Sequence, residues 1–246
     1  MMHYAAVAAL VLGAFVWGLA AGTYKIFPFA QVQALHEAVT TNAGLTGDGT
    51  YRDNAAATER GLAMADWETR AEIVMIGDSI TEAASWKDMF PDADILNRGA
   101  SGDTVSGVEK RLDAILRAEP RRAFVLIGTN DLNLSNPVGE VLAIYTRVVE
   151  RLKDAGVETT IQTVPTCEPV LDICNDKRRE AESSLNAGIK RLADEQRVAL
   201  IDLAAEFPSG TEYRADGVHP TTEGYKAWRD TLAPYVTAQP QAEAAE

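Results

Sequence analysis

The sequence predicts an α/β fold in which a parallel sheet lies between two layers of helices, and three observations carry that prediction. From Glu72 onward, short apolar runs alternate with amphipathic helical stretches, the pattern of strands joined by crossover helices. The first run, Ile73-Val74-Met75-Ile76, stops abruptly in Gly77-Asp78-Ser79, as a buried strand does where it reaches the sheet edge. The chain of 246 residues, with ordinary apolar and charged fractions, has room for one substantial domain of about 150–200 residues and some extras.

The extras come first. Tyr4 to Gly22 runs without a charge through Ala, Val, Leu, Phe, Trp and Gly. A helix of that length, roughly 19 residues, rises about 28 Å and spans a bilayer core. A cleaved export signal is the rival reading, because Gly18-Leu19-Ala20 is a passable cleavage pattern, but Met1-Met2-His3 supplies no basic start. A buried helix of the soluble domain is the third. The expectation is a membrane anchor over residues 1–24 with the catalytic domain on the extracytoplasmic side, and a cleaved, secreted form is the alternative. Lys25, the only nearby cation, gives the positive-inside rule little to count and taken literally points the other way.

Residues 25–70 read as a juxtamembrane linker and pre-domain helix. Val32, Leu35 and Val39 share a face within Gln31 to Thr41, Asn42 to Asn54 is rich in turn formers, and Glu59 to Arg70 carries Leu62, Met64 and Trp67. The domain proper is expected over 71–236. Strands are expected at Ile73–Ile76, Asp94–Asn97, Ala123–Ile127, Thr159–Val164 and Val198–Ile201. Helical stripes lie between them: Val105, Val108, Leu112, Ile115 and Leu116; then Val138, Val141, Leu142, Tyr145, Val148, Val149 and Leu152. The second stripe has Asn136 as N-cap, Pro137 in the first turn and Gly156 past its end. Leu185, Ile189 and Leu192 mark a third helix, and Tyr225, Trp228, Leu232 and Tyr235 a last one. The tail 237–246 has nothing to bury.

A net charge of −13 and a pI near 4.7 exclude a nucleic-acid partner, since binding phosphates needs a basic footprint. The only two cysteines, Cys167 and Cys174, flank one short loop, and a bridge between them fits an oxidising compartment. Without a partnering histidine they make no zinc site. No motif speaks for a cofactor, a metal or an oligomeric state.

Chemistry is expected on one rim, because the loops after the carboxyl ends of parallel strands gather there. The strand ends present Gly77-Asp78-Ser79, Asn97-Arg98-Gly99, and Gly128-Thr129-Asn130-Asp131, and the last helix is preceded by Asp216-Gly217-Val218-His219-Pro220. A serine hydroxyl needs a base, usually a histidine held by a carboxylate. Of three histidines only His219 belongs to the α/β region, so a histidine serving Ser79 from the same domain is His219, with Asp216 placed to orient it. Acyl transfer also needs donors for an oxyanion; the amides of Ser79 and Gly99 and the side-chain NH₂ of Asn130 suit, and a glycine lets its N–H approach substrate closely. Each segment alone also reads as a turn or a helix cap. Arg98 and Arg214 flank the site and read as solvated arginines, with recognition of an anionic substrate group as the alternative.

These four segments resemble the blocks of the SGNH, or GDSL-like, hydrolase family: Gly77-Asp78-Ser79-Ile80, Gly99, Gly128-Thr129-Asn130-Asp131 and Asp216-Gly217-Val218-His219-Pro220, in family order across residues 71 to 236. Ile80 stands where many members have Leu, and Gly-x-Ser-x-Gly is absent, which disfavours the ordinary α/β-hydrolase fold. The resemblance implies a flavodoxin-like three-layer α/β/α fold with five parallel strands and serine esterase, lipase or thioesterase activity without a metal. It implies Ser79 as nucleophile, His219 as base, Asp216 as its partner, and Ser79, Gly99 and Asn130 as the oxyanion hole. The expected substrate is a small or carbohydrate-borne ester such as an O-acetyl group. Lysophospholipid or thioester hydrolysis and acyl transfer use the same residues, and a catalytically silent, membrane-tethered glycan-binding module is the reading from another class.

Overall fold

Alternate residues of the first strand face two different helical layers, Val74 and Ile76 one way, Ile73 and Met75 the other, and the fold is built on that alternation. The computed structural model of the protein describes residues 51–65, 69–168, 174–207 and 216–237. A strap at 51–54 leads into α1 (Ala55–Ala65) and β1 (Ile73–Gly77), followed by α2 (Ser79–Glu82), α3 (Trp86–Met89) and β2 (Ile95–Gly99). Then come α4 (Val105–Leu116), β3 (Arg122–Leu126), α5 (Thr129–Asn133), α6 (Val138–Asp154) and β4 (Glu158–Gln162). The chain continues through α7 (Asp176–Gln196), β5 (Ala199–Ile201), α8 (Leu203–Glu206) and α9 (Thr222–Val236).

The five strands are parallel in the order β2-β1-β3-β4-β5. The chain runs outward from β1 to β2 and returns to β3 on the other side of β1, so the order reverses there. A crevice opens at such a switch point, outside the carboxyl ends of the strands. One face of the sheet packs Val74, Ile76, Val125 and Ile161 against Val108 and Leu112 of α4, Val141, Tyr145 and Val148 of α6, and Leu185 and Ile189 of α7. The other packs Ile73, Met75, Phe124 and Ile201 against Ile80, Trp86, Leu203, Trp228 and Leu232. Burying each such side chain stabilises the fold by about 1.5–3 kcal/mol before conformational entropy is counted. Trp86 and Trp228 meet edge to face with ring centroids 5.0 Å apart.

All five expected strands form, none with an end shifted by more than two residues, and it is at those ends that hydrogen bonding rather than hydropathy decides. Three local expectations are corrected. Pro137, not Asn136, caps α6; Asn136 instead accepts from the Arg52 amide at 2.7 Å and donates to the Arg52 carbonyl at 2.8 Å. Tyr235 lies 38% exposed and Val236 takes its place against the sheet. Cys167 and Cys174 are both buried and unbridged, and burial first, then the neighbouring Cys174, pushes the Cys167 thiol up to about 12.

The strap and α1 pack onto the sheet's own unit, α1 lying on α4 and β2, so ordered packing begins at least as early as Tyr51. The expected membrane span, the Gln31 to Thr41 helix, Trp67, Arg214 and the tail beyond Thr237 lie outside the described residues. Among the described residues no helix is long and apolar enough to cross a membrane.

Candidate active site

The turn after β1 is tight because glycine permits it: a Cβ on Gly77 would stand 2.1 Å from Thr81 Oγ1 and 2.4 Å from the Leu126 carbonyl oxygen. Asp78 then caps α2, its Oδ1 accepting the Ile80 amide at 3.0 Å. Ser79 is thereby the first residue of a helix, and its N–H is one of the groups a helix leaves without an intrahelical partner. Tyr225 of α9 donates its hydroxyl to the Ile80 carbonyl at 2.9 Å, tying this turn to the helix that follows His219.

The loop before α9 brings the histidine across. Ser79 Oγ lies 2.7 Å from His219 Nε2, and His219 Nδ1 lies 2.7 Å from Asp216 Oδ2. With Nδ1–H donating to the carboxylate, Nε2 is left to accept the serine proton. Asp216 Oδ1 also accepts the amides of Val218 and His219, each at 3.0 Å, so the carboxylate folds its own loop around itself. Burial pulls its pKa upward, but those two amides and the His219 ring outweigh burial and leave it below the ordinary range. The His219 side chain is 32% exposed, which leaves the ring open to reactants from solvent. The Glu168 amide, after β4, donates to the Gly217 carbonyl at 2.9 Å and steadies the loop from the other side.

The three expected oxyanion donors gather at adjacent strand ends but are not equally free. Asn130 Nδ2 donates to the Asp103 carbonyl at 2.9 Å and lies 3.5 Å from Asp78 Oδ2. Gly99 donates its amide to Asn97 Oδ1 at 2.9 Å, while Asn97 Nδ2 donates to the Glu82 carbonyl at 2.9 Å. Asn97 therefore clamps β2 to the helix of Ser79. The missing Cβ of Gly99 faces the backbone of Glu82, 2.2 Å from its nitrogen, so the lack of a side chain here is what strand-to-helix packing requires.

Behind these donors lies a set of buried acids. Burial pushes Asp78 up to about 7 and Asp131 up to about 6, and raises Asp103 as well. Arg111 answers Asp103: its Nε donates to Asp103 Oδ2 at 2.8 Å, both side chains fully buried, and its Nη2 donates to the Gly77 carbonyl at 3.1 Å. The strap closes the set from outside. Tyr51 donates its hydroxyl to Asp131 and accepts the Ser106 amide at 3.2 Å, and Asp53 accepts from Thr104 Oγ1 at 2.8 Å. Residues 51–54 thus brace the loops after β2 and β3 together.

Of the residues named from the sequence, Ser79, His219 and Asp216 come together in one hydrogen-bonded relay, and Asn130 lies against Asp78, the neighbour of Ser79. Sequence reasoning missed Asn97, Arg111 and Tyr51; only Asn97 had a signal, two residues before Gly99 at a strand end. Arg98 is corrected. It is buried at 5% exposure, donates to the Asn97 carbonyl at 3.2 Å, and is not a solvated surface arginine. Among the described residues no group of three or more His, Cys, Asp or Glu is arranged to hold a metal ion.

The family described as GDSL-like lipase/acylhydrolase matches residues 75–227, a span that includes all five expected site residues. No curated protein matches the chain. Among solved structures, a Streptococcus pneumonia protein provisionally named a platelet activating factor is 23% identical with a TM-score of 0.68, over 84% of this chain and 99% of its own. A GDSL-like lipase from Bacteroides thetaiotaomicron is 22% identical with a TM-score of 0.62, over 74% and 97%. A variant of an acetyl-xylooligosaccharide esterase from Geobacillus is 18% identical with a TM-score of 0.58, over 70% and 96%. At these identities the three likenesses speak for the fold.

Proposed function

The chain belongs to the GDSL-like lipase/acylhydrolase family and is a carboxylic ester hydrolase, and from that premise we propose that it cleaves small or carbohydrate-borne esters, acetyl esters foremost, through an acyl-enzyme on Ser79. The single observation that carries the mechanism is the hydrogen-bonded relay from Ser79 Oγ through the His219 ring to Asp216, 2.7 Å at each contact.

Ser79 Oγ attacks the ester carbonyl carbon as its proton passes to His219 Nε2, and the carbonyl electron pair moves onto oxygen. The imidazolium is held by Asp216, which stays ionised. The Ser79 amide and Asn130 Nδ2 receive the oxyanion, joined by the Gly99 amide once it exchanges Asn97 Oδ1 for the oxyanion; each well-placed donor is worth about 10²–10³ in rate. Collapse re-forms the carbonyl and breaks the bond to the alcohol, which leaves with the proton from His219. Water then enters, gives a proton to Nε2, and repeats the sequence to release the acid and free Ser79.

A short acyl group is supported by the likeness to an acetyl-xylooligosaccharide esterase, and an extracytoplasmic, membrane-held enzyme by the uncharged run from Tyr4 to Gly22. The substrate reading is tested by comparing kcat/KM on p-nitrophenyl acetate, butyrate and octanoate and measuring acetate release from acetylated xylooligosaccharides. Activity falling with acyl length and release from the sugar are expected. A preference for octanoate with no acetate released overturns it in favour of lipid esters. For topology, a reporter fused after Glu246 is expected to be active only outside the cytoplasm.

A further inference from the structure

Asp78 has no task in the mechanism above beyond capping a short helix, yet it is 1% exposed and engaged on both of its oxygens. Oδ1 accepts the Ile80 amide at 3.0 Å, within the turn that carries Ser79. Oδ2 faces Asn130 Nδ2 at 3.5 Å, across from the end of β1 to α5, the short helix after β3. Asp78 is therefore bonded to the turn of one oxyanion donor and lies against the side chain of another.

The proton inventory of Asn130 gives this contact its meaning. A side-chain NH₂ has two protons. One is committed to the Asp103 carbonyl at 2.9 Å, which leaves one for the oxyanion. The terminal torsion of an asparagine is soft, so an amide held at a single point swings readily. A second acceptor on a different strand end removes that freedom. At 3.5 Å the Asp78 contact is longer than a good N–H···O bond, so it orients the proton without competing with an oxyanion seated at about 2.7–3.1 Å.

We propose that Asp78 is a positioning residue that acts through Asn130, holding the side-chain amide so that the hydrogen bond of its second N–H passes from the Asp78 carboxylate to the oxyanion as the tetrahedral intermediate forms, with the proton staying on nitrogen. Asn97 stands in the same relation to Gly99, whose amide rests on a protein oxygen 2.9 Å away. The hole is thus kept open in the resting enzyme by internal acceptors rather than assembled around each substrate. The proposal rests on the reading of Asn130 as an oxyanion donor.

Asp78→Asn separates this role from capping and space-filling. The variant keeps the volume and, with its carbonyl toward Ile80, keeps the cap, but it turns an NH₂ toward the NH₂ of Asn130, donor against donor. On p-nitrophenyl acetate, kcat is expected to fall about 10- to 100-fold with KM within about twofold, less than outright loss of a donor. In an Asn130→Ala background the same change is expected to cost no further activity beyond about twofold, because the residue it acts through is gone. Asp78→Ser, which also caps helices, is the second variant and gives the same pattern should the amide variant not fold. A wild-type kcat in the folded Asp78→Asn or Asp78→Ser enzyme overturns the proposal, and so does a loss that persists undiminished in the Asn130→Ala background. If Asn130→Ala itself leaves kcat unchanged, the oxyanion reading fails; if Asn130→Ala is impaired while Asp78→Asn is not, only this proposal fails.

Discussion

Asp216 holds His219 twice, its Oδ1 accepting the backbone N–H at 3.0 Å and its Oδ2 accepting the ring Nδ1–H at 2.7 Å. Position of the loop and tautomer of the ring are thus set by one carboxylate. Asp216→Asn leaves Oδ1 able to accept but puts an NH₂ against Nδ1, which favours the ring tautomer that carries its proton on Nε2. The expected result is a drop in kcat of about 10²–10⁴ with the fold retained. Steady-state kinetics beside a circular dichroism spectrum checks this, and a kcat within threefold of wild type would remove Asp216 from the relay.

Asn130→Ala is expected to lower kcat by about 10²–10³ with KM nearly unchanged, because a donor to the oxyanion acts on the transition state and not on the bound ester. A rise in KM at constant kcat would instead make Asn130 a substrate-binding residue.

Two glycines give opposite expectations from the same substitution. A Cβ on Gly99 meets backbone of Glu82 at 2.2 and 2.7 Å, and backbone cannot swing aside, so β2 and α2 must part. Gly99→Ala is expected to destabilise by about 1–3 kcal/mol and to lower activity as well. Gly139 sits in the first turn of α6 with nothing within 4 Å of an added Cβ, and Gly139→Ala is expected to stabilise by about 0.5–1 kcal/mol without touching activity. Chemical denaturation of the two variants measures both, and equal effects would show that the strand-to-helix contact is not as tight as described.

Buried Asp78 gives stability a pH dependence of known sign. Burial raises its pKa to about 7 in the folded protein, against an ordinary value near 3.8 when unfolded, so the folded state holds the extra proton between those limits. Stability from this group is fully present below about pH 4 and is lost as pH rises through 7. Asp131, raised to about 6, acts in the same direction, and Asp216, lowered, acts oppositely at more acidic pH. The thermal midpoint of wild type is therefore expected to fall more steeply between pH 5 and 8 than that of Asp78→Asn. Parallel curves for the two proteins would mean that Asp78 does not titrate in this window.

Much of the architecture was legible because burial on both faces makes each strand a short apolar run, and the polar residues that interrupt such a run mark the rim. The candidates Ser79, Asn130, Asp216 and His219 were read that way. What escaped depends on contacts between distant segments. The strap at 51–54 has a linker's composition, yet Tyr51, Arg52 and Asp53 bond to loops 50 or more residues away. Arg98 looks exposed by type, but its place within β2 buries it. Asn136 has the residue type of a cap and is used as a clamp on Arg52. Local preference names what a residue can do, and tertiary contact chooses among those uses.

The central claim is that Ser79 is a nucleophile activated by His219. Its most direct measurement is the intact mass of the folded protein after incubation with a fluorophosphonate, which phosphonylates an activated serine and expels fluoride. Wild type is expected to gain one adduct, located on the peptide that contains Ser79, with Ser79→Ala unmodified and His219→Ala strongly slowed. An unlabelled wild type, or labelling of Ser79→Ala at the wild-type rate, would contradict the account.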